Sequence, residues 1–118
     1  NEHKGTNILV CNFDGDKCVV SSATVYDENN VKLSVSVVNP DGSYINTSFY
    51  SDGTTFEIRE YDSNDSLLKV EHYAESGVLE YIETIVREDG HSVNTRTDAD
   101  GNVIRSEEYK NKNYNLPK

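Results

Sequence analysis

Runs of alternating apolar and polar residues are cut at near-regular intervals by glycine turns: Asp14-Gly15, Pro40-Asp41-Gly42, Asp52-Gly53, Glu75-Ser76-Gly77, Asp89-Gly90 and Asp100-Gly101. These pairs supply the positive φ that tight hairpins demand. Asn29-Asn30 and Asp62-Ser63-Asn64-Asp65 read as further turns of the same kind. Between the turns lie 7–12, 17–27, 31–39, 43–51, 54–61, 66–74, 78–88, 91–97 and 102–109. Segments of this length, with no helical period among them, predict an all-β, antiparallel up-and-down meander of eight or nine short strands. The pattern leaves open whether the sheet is open, a sandwich or a small barrel. Residues 1–110 read as one domain and 111–118 as a frayed C-terminal tail.

The turns also predict register. With Asp52-Gly53 as a two-residue loop, Phe49 faces Phe56, Thr47 faces Ile58 and Tyr44 faces Tyr61. Ile45, Phe49, Phe56 and Ile58 then share one face, and Tyr44, Tyr50, Arg59 and Tyr61 the other; a one-residue slip would scramble both. About Asp89-Gly90, Val86 faces Val93, Thr84 faces Thr95, and Glu83 faces Arg96 as a cross-strand ion pair. Segment 78–88 is apolar on both sides, with Val78, Ile82 and Val86 against Leu79, Tyr81 and Ile85. This predicts a central strand, or one covered on its second side. Segment 17–27 is similarly mixed.

Composition agrees with strands. The 118 residues include 13 Val against 6 Leu, and neither Trp nor Met. β-Branched and aromatic side chains fit a pleated surface and are mediocre in helices. With 21 acidic and 11 basic residues the formal charge is −10. That balance argues against nucleic acid and anionic membrane surfaces, whose binders concentrate Lys and Arg. No segment is apolar for the length of a membrane helix, so no membrane insertion is expected.

Cys11 and Cys18 flank the first turn. With Asp14-Gly15 as a two-residue loop they fall directly opposite each other, at a separation a disulfide tolerates. The pairing predicts a structural bridge and an oxidising, secreted location. Chemistry-bearing patterns are otherwise thin. Asp98-Ala99-Asp100-Gly101-Asn102 suggests a calcium loop, but Val103 and Tyr109 stand where that loop needs its Gly and Glu. His3, His72 and His91 are scattered, and no Ser has the glycines of a nucleophile elbow. The sequons Asn46-Thr47-Ser48 and Asn64-Asp65-Ser66 are about as many as chance supplies. The expectation is no catalytic residue, no metal and no cofactor.

Tyr26-Asp27-Glu28-Asn29, Tyr61-Asp62-Ser63-Asn64 with Leu67, and Thr97 to Ile104 resemble degenerate YD repeats. That resemblance implies an array of β-hairpins, a form found in large secreted shells, although this chain is short for a shell and its repeat irregular. The acidic stretches Glu83 to Gly90 and Thr97 to Asn102 also resemble the N-terminal assembly domain of moth silk fibroin heavy chains. That likeness implies strands of two chains entangling in response to acid. The leading expectation is a secreted, non-enzymatic interaction domain that binds a protein partner through its sheet surface. Tyr44, Tyr50, Tyr61 and Arg59 are its candidate binding face, because Tyr and Arg are enriched at interfaces. The alternatives are a self-assembling structural domain forming a pH-sensitive homo-oligomer, and a small carrier barrel with an apolar ligand inside.

Overall fold

The computed structural model describes residues 5–110; the tail read at 111–118, like His3, lies outside the described residues. Nine strands follow in chain order: β1 (Thr6–Asp14), β2 (Lys17–Tyr26), β3 (Lys32–Val38), β4 (Tyr44–Phe49), β5 (Thr55–Tyr61), β6 (Leu67–Tyr73), β7 (Leu79–Glu88), β8 (His91–Asp98) and β9 (Val103–Lys110). They form one antiparallel sheet whose spatial order is the sequence order. Each strand touches only its sequence neighbours, so the sheet is open, with β1 and β9 at its edges. It encloses no lumen of the kind a carrier barrel requires.

Six of the eight connections are one loop used repeatedly. Asp27, Asn39, Tyr50, Asp62, Ala74 and Asp98 each donate their N–H to the carbonyl four residues on. Each also accepts at its own carbonyl from the N–H three residues on. The donor of that second bond is Asn30, Gly42, Gly53, Asp65, Gly77 or Gly101, and its φ lies between 65° and 94°. This is the three-residue hairpin loop ending in a left-handed residue. Aspartate completes it in two ways. Where Asp opens the loop, its Oδ1 accepts from the N–H groups two and four residues on, as Asp98 does from Asp100 and Asn102 at 2.9 Å each. Where Asn39 or Tyr50 opens it, an Asp two places later accepts from the same closing N–H, whereas the Ala74 loop has Ser76 at that place. Asp52 takes the N–H of Thr54 at 2.9 Å and its hydroxyl at 2.6 Å, and Asp41 does the same with Ser43.

These loops correct the predicted register. Asp52-Gly53 is not a two-residue loop, and near it Phe49 faces Thr55 instead of Phe56. Farther along, Tyr44 faces Tyr61 and Thr47 faces Ile58 as predicted, because a β-bulge at Phe56 restores the count. The same pair of devices, a three-residue loop and then one extra residue on the next strand, recurs at Leu33, Leu68, Glu80 and Ile104. The β7–β8 register agrees with the sequence in full, including Glu83 against Arg96. At the first turn the loop is Gly15-Asp16, so Cys11 faces Val20 and Cys18 faces Phe13. That slip of two residues keeps the side chains between Cys11 and Val20 on their predicted faces, up to a bulge at Ser21. Cys11 and Cys18 are thus diagonal neighbours and form the expected disulfide across a Cα separation of 5.4 Å.

Among the described residues no second layer covers the sheet. The radius of gyration is 17.9 Å, against roughly 13–14 Å for a compact chain of this length. Among the described residues only Val70 and Ile85 are buried. β7 is interior, as predicted, yet its second side is open and Val86 is 57% exposed.

Candidate functional site

Register divides the sheet into two unlike faces. One, the tyrosine face, carries Tyr44, Tyr61 and the Arg59–Glu57 and Arg96–Glu83 ion pairs. Tyr44 and Tyr61 stack with ring centroids 4.7 Å apart and planes 17° from parallel. Tyr50, six positions from Tyr44 along the chain, belongs to a separate cluster. Its ring meets Phe56 edge-on at 5.1 Å, Phe56 meets His72 at 5.0 Å, and His72 stacks on Tyr81 at 5.0 Å. Arg96 ends the row, its guanidinium 3.9 Å from the Tyr81 ring centroid and 2.9 Å from Glu83.

The bulge makes this row. Predicted beside Phe49, Phe56 instead meets Tyr50 and His72 because its extra position turns it to their side. Phe49 lies under the ammonium of Lys32 at 5.0 Å. The four proposed binding residues are thus on one face but not in one patch. Tyr44 and Tyr61 form one cluster and Tyr50 another. Arg59 is engaged by Glu57, Nε to Oε1 at 2.6 Å, and that carboxylate raises the guanidinium pKa. Tyr50 is also engaged, its hydroxyl donating to the Tyr73 carbonyl at 2.7 Å. The carboxylate of Asp65 raises the Tyr44 pKa, so that phenol stays neutral through ordinary pH.

The opposite, aliphatic face was not singled out from sequence. Ile8, Thr24, Val35, Thr47 and Ile58 follow one another across β1 to β5. A second row runs Val10, Ser22, Val37 and Ile45 before it reaches Glu60. Ile8, Val10, Val37 and Ile45 are 48, 52, 50 and 39% exposed. Along these rows the first charges stand on β5 and β6, where Lys69 bridges Glu60 at 3.6 Å and Glu71 at 3.4 Å; outside the rows, Lys32 on β3 lies over Phe49. Alternation signalled this face; only knowledge that nothing packs on it marks it as unusual.

The edges differ as well. β9 carries Arg105, Glu107, Glu108 and Lys110, the charges that discourage strand addition. β1 is uncharged from Thr6 to Phe13, and Leu9 and Phe13 on it are 62% and 76% exposed. A groove of about 400 Å³ lies where the β1–β2 hairpin overhangs the β3–β4 turn, lined by Phe13, Val20, Val38 and Pro40. Another, of about 380 Å³, lies at the β7–β8 tip beside Arg87, His91 and Tyr109. There His91 Nε2 sits 3.2 Å from Glu88 and 3.6 Å from Glu108. Among the described residues no group of three or more His, Cys, Asp or Glu is placed to hold a metal, and no helix is long and apolar enough to cross a membrane.

No family model matches the chain, and no curated protein matches it. A solved structure titled as a GtfA/B complex bound to UDP and GlcNAc contains a chain that aligns with 79% of this one at 13% identity and a TM-score of 0.47. The match spans 20% of that chain's length.

Proposed function

We propose that this is a secreted, non-enzymatic domain that binds another protein through the surface of its sheet. The observation that carries the reading is the single layer itself. Nine strands bury two side chains, Val70 and Ile85, while aliphatic and aromatic residues remain on both open faces. A sheet with an apolar face is ordinarily half of a packed pair of layers. A protein partner would supply the second layer. The intramolecular disulfide fits an extracellular protein, because such bridges persist in oxidising compartments.

Photo-crosslinking tests the reading. A photoreactive phenylalanine is placed at Tyr44 on one face, at Ile45 on the other, and at the exposed loop residue Asp100. Irradiation of the producing culture is expected to yield discrete crosslinked protein bands from a face position and none from Asp100. Equal labelling at all three positions, or none anywhere, would overturn it.

A further inference from the structure

We infer that the aliphatic face of β1 to β5 is occupied by the same face of a second copy, so that two chains form a two-layered β-sandwich. This deepens the proposal that the sheet surface is a binding surface, and rests on it.

Charge selects the partner. The chain has a net charge of −10, yet the two rows from Ile8 and Val10 to Ile58 and Ile45 carry no acid. Two strongly acidic copies can meet there without bringing like charges together. Through the tyrosine face they would bring carboxylates such as Glu57 and Glu83 together. Shape agrees, since these positions are Val, Ile, Thr and Ser, and rows of short, mostly β-branched side chains from aligned sheets interdigitate at about 10 Å separation. A two-fold axis through the patch sets each row against its own counterpart, as an isologous interface requires.

Area is sufficient. Five strands about 4.8 Å apart, each giving two side chains to these rows, make an apolar centre of roughly 300 Å² of flat face. The whole nine-stranded face offers roughly 700 Å², near the ~800 Å² per partner of a standard interface. Glu60, Lys69 and Glu71, already paired with one another, fall at the edge of this centre. They form the polar rim that such interfaces have. The exposed Val37 and Ile45 stand directly opposite each other on β3 and β4, inside the apolar centre.

Sedimentation velocity over a concentration series decides it. The wild-type chain is expected to run as a dimer that dissociates on dilution. Val37→Lys with Ile45→Lys places two charges in each copy's centre and is expected to leave a monomer with unchanged strand signal in circular dichroism. Val37→Thr with Ile45→Thr keeps β-branching at both sites, which guards against simple misfolding, and is expected to weaken the dimer at least roughly tenfold. A wild-type monomer at every concentration overturns the inference. So does a dimer indifferent to both double variants, since the copies would then meet elsewhere, as along the uncharged β1 edge. Crosslinks from Ile45 to an unrelated protein, with no dimer, would sink the second copy while leaving the binding surface intact.

Discussion

Gly101 has a φ of 89°, and a β-carbon there would meet nothing within 4 Å, so only backbone conformation resists substitution. Gly101→Ala is expected to lose about 1 kcal/mol, the left-handed penalty less the entropy removed from the unfolded chain. Thermal melts should show this as a fall of roughly 4–8 °C. Asn30 and Asp65 hold the same position in their own loops at φ 66° and 65°. Replacing either with Gly trades relief of strain against a freer unfolded chain, and should be nearly neutral. The loop aspartates make a pH prediction of definite sign. The Ser43 hydroxyl holds Asp41, the Thr54 hydroxyl holds Asp52, and the Asn102 N–H holds Asp98 below the usual carboxylate range. Each is more acidic folded than unfolded, so its bonds stabilise the fold above the unfolded value near 3.9. That contribution is lost as pH falls through the lower folded values. Melting temperature should therefore be flat from about pH 7 to 5 and fall below about pH 4. Asp98→Asn, which keeps an acceptor but cannot ionise, should flatten the acid limb. A fall that begins near pH 6 would locate the acid response elsewhere.

At the scale of the hairpin, the disulfide ties the edge strand β1 to β2 across a separation of seven residues. Cys11→Ser with Cys18→Ser should cost about 2–3 kcal/mol by the loop-entropy estimate. Intact-mass analysis should show no alkylatable thiol before reduction and two after it. The Tyr44–Tyr61 stack bridges β4 and β5 at a half-buried position, so replacing both with Thr should cost about 0.5–1.5 kcal/mol, the value of an aromatic cross-strand pair. A loss of 3 kcal/mol or more, which truncating buried aromatics brings, would mean that the rings lie under a second layer. The hairpins also show what was legible in sequence. Strand order and all nine strands were, since Asp-Gly turns and alternation are local signals. The β7–β8 register was too, because Asp89-Gly90 is a true two-residue turn. Bulges were not. Tyr44 still faced Tyr61 because the longer loop and the bulge at Phe56 cancel, but between them Phe56 changed neighbours. The signal was there at a fixed offset: in five loops the bulged residue, Leu33, Phe56, Leu68, Glu80 or Ile104, comes six places after the loop's opening residue. The candidate face was legible as a face but not as two clusters, which depend on those bulges. The aliphatic face could not be singled out, because alternation looks the same whether or not another layer lies beyond it.

Across the whole molecule, contacts join only neighbouring strands, so stability behaves as in a solenoid: a sum of hairpins and the interfaces between them. A strand at either edge can leave without disturbing any but its one neighbour, whereas an interior strand must break two ladders. The only two buried side chains among the described residues, Val70 on β6 and Ile85 on β7, lie beside the middle of the order. Amide hydrogen exchange of dilute protein should therefore be slowest in β6 and β7 and quicken towards both edges. β9 should open most readily, being charged, fully exposed and without a covalent tie. β1 should be slower than its place at an edge implies, because the disulfide keeps it beside β2, and reduction should remove the difference. Raising the concentration then separates the fold from the dimer. Association through the aliphatic face stabilises the folded form by mass action, and the gain should concentrate in β2 to β4, beneath Val37 and Ile45. Protection that rises evenly in all nine strands would mean that the sheet opens as one cooperative unit. Protection that rises only in β1 would mean that the copies join edge to edge, with both faces still bare.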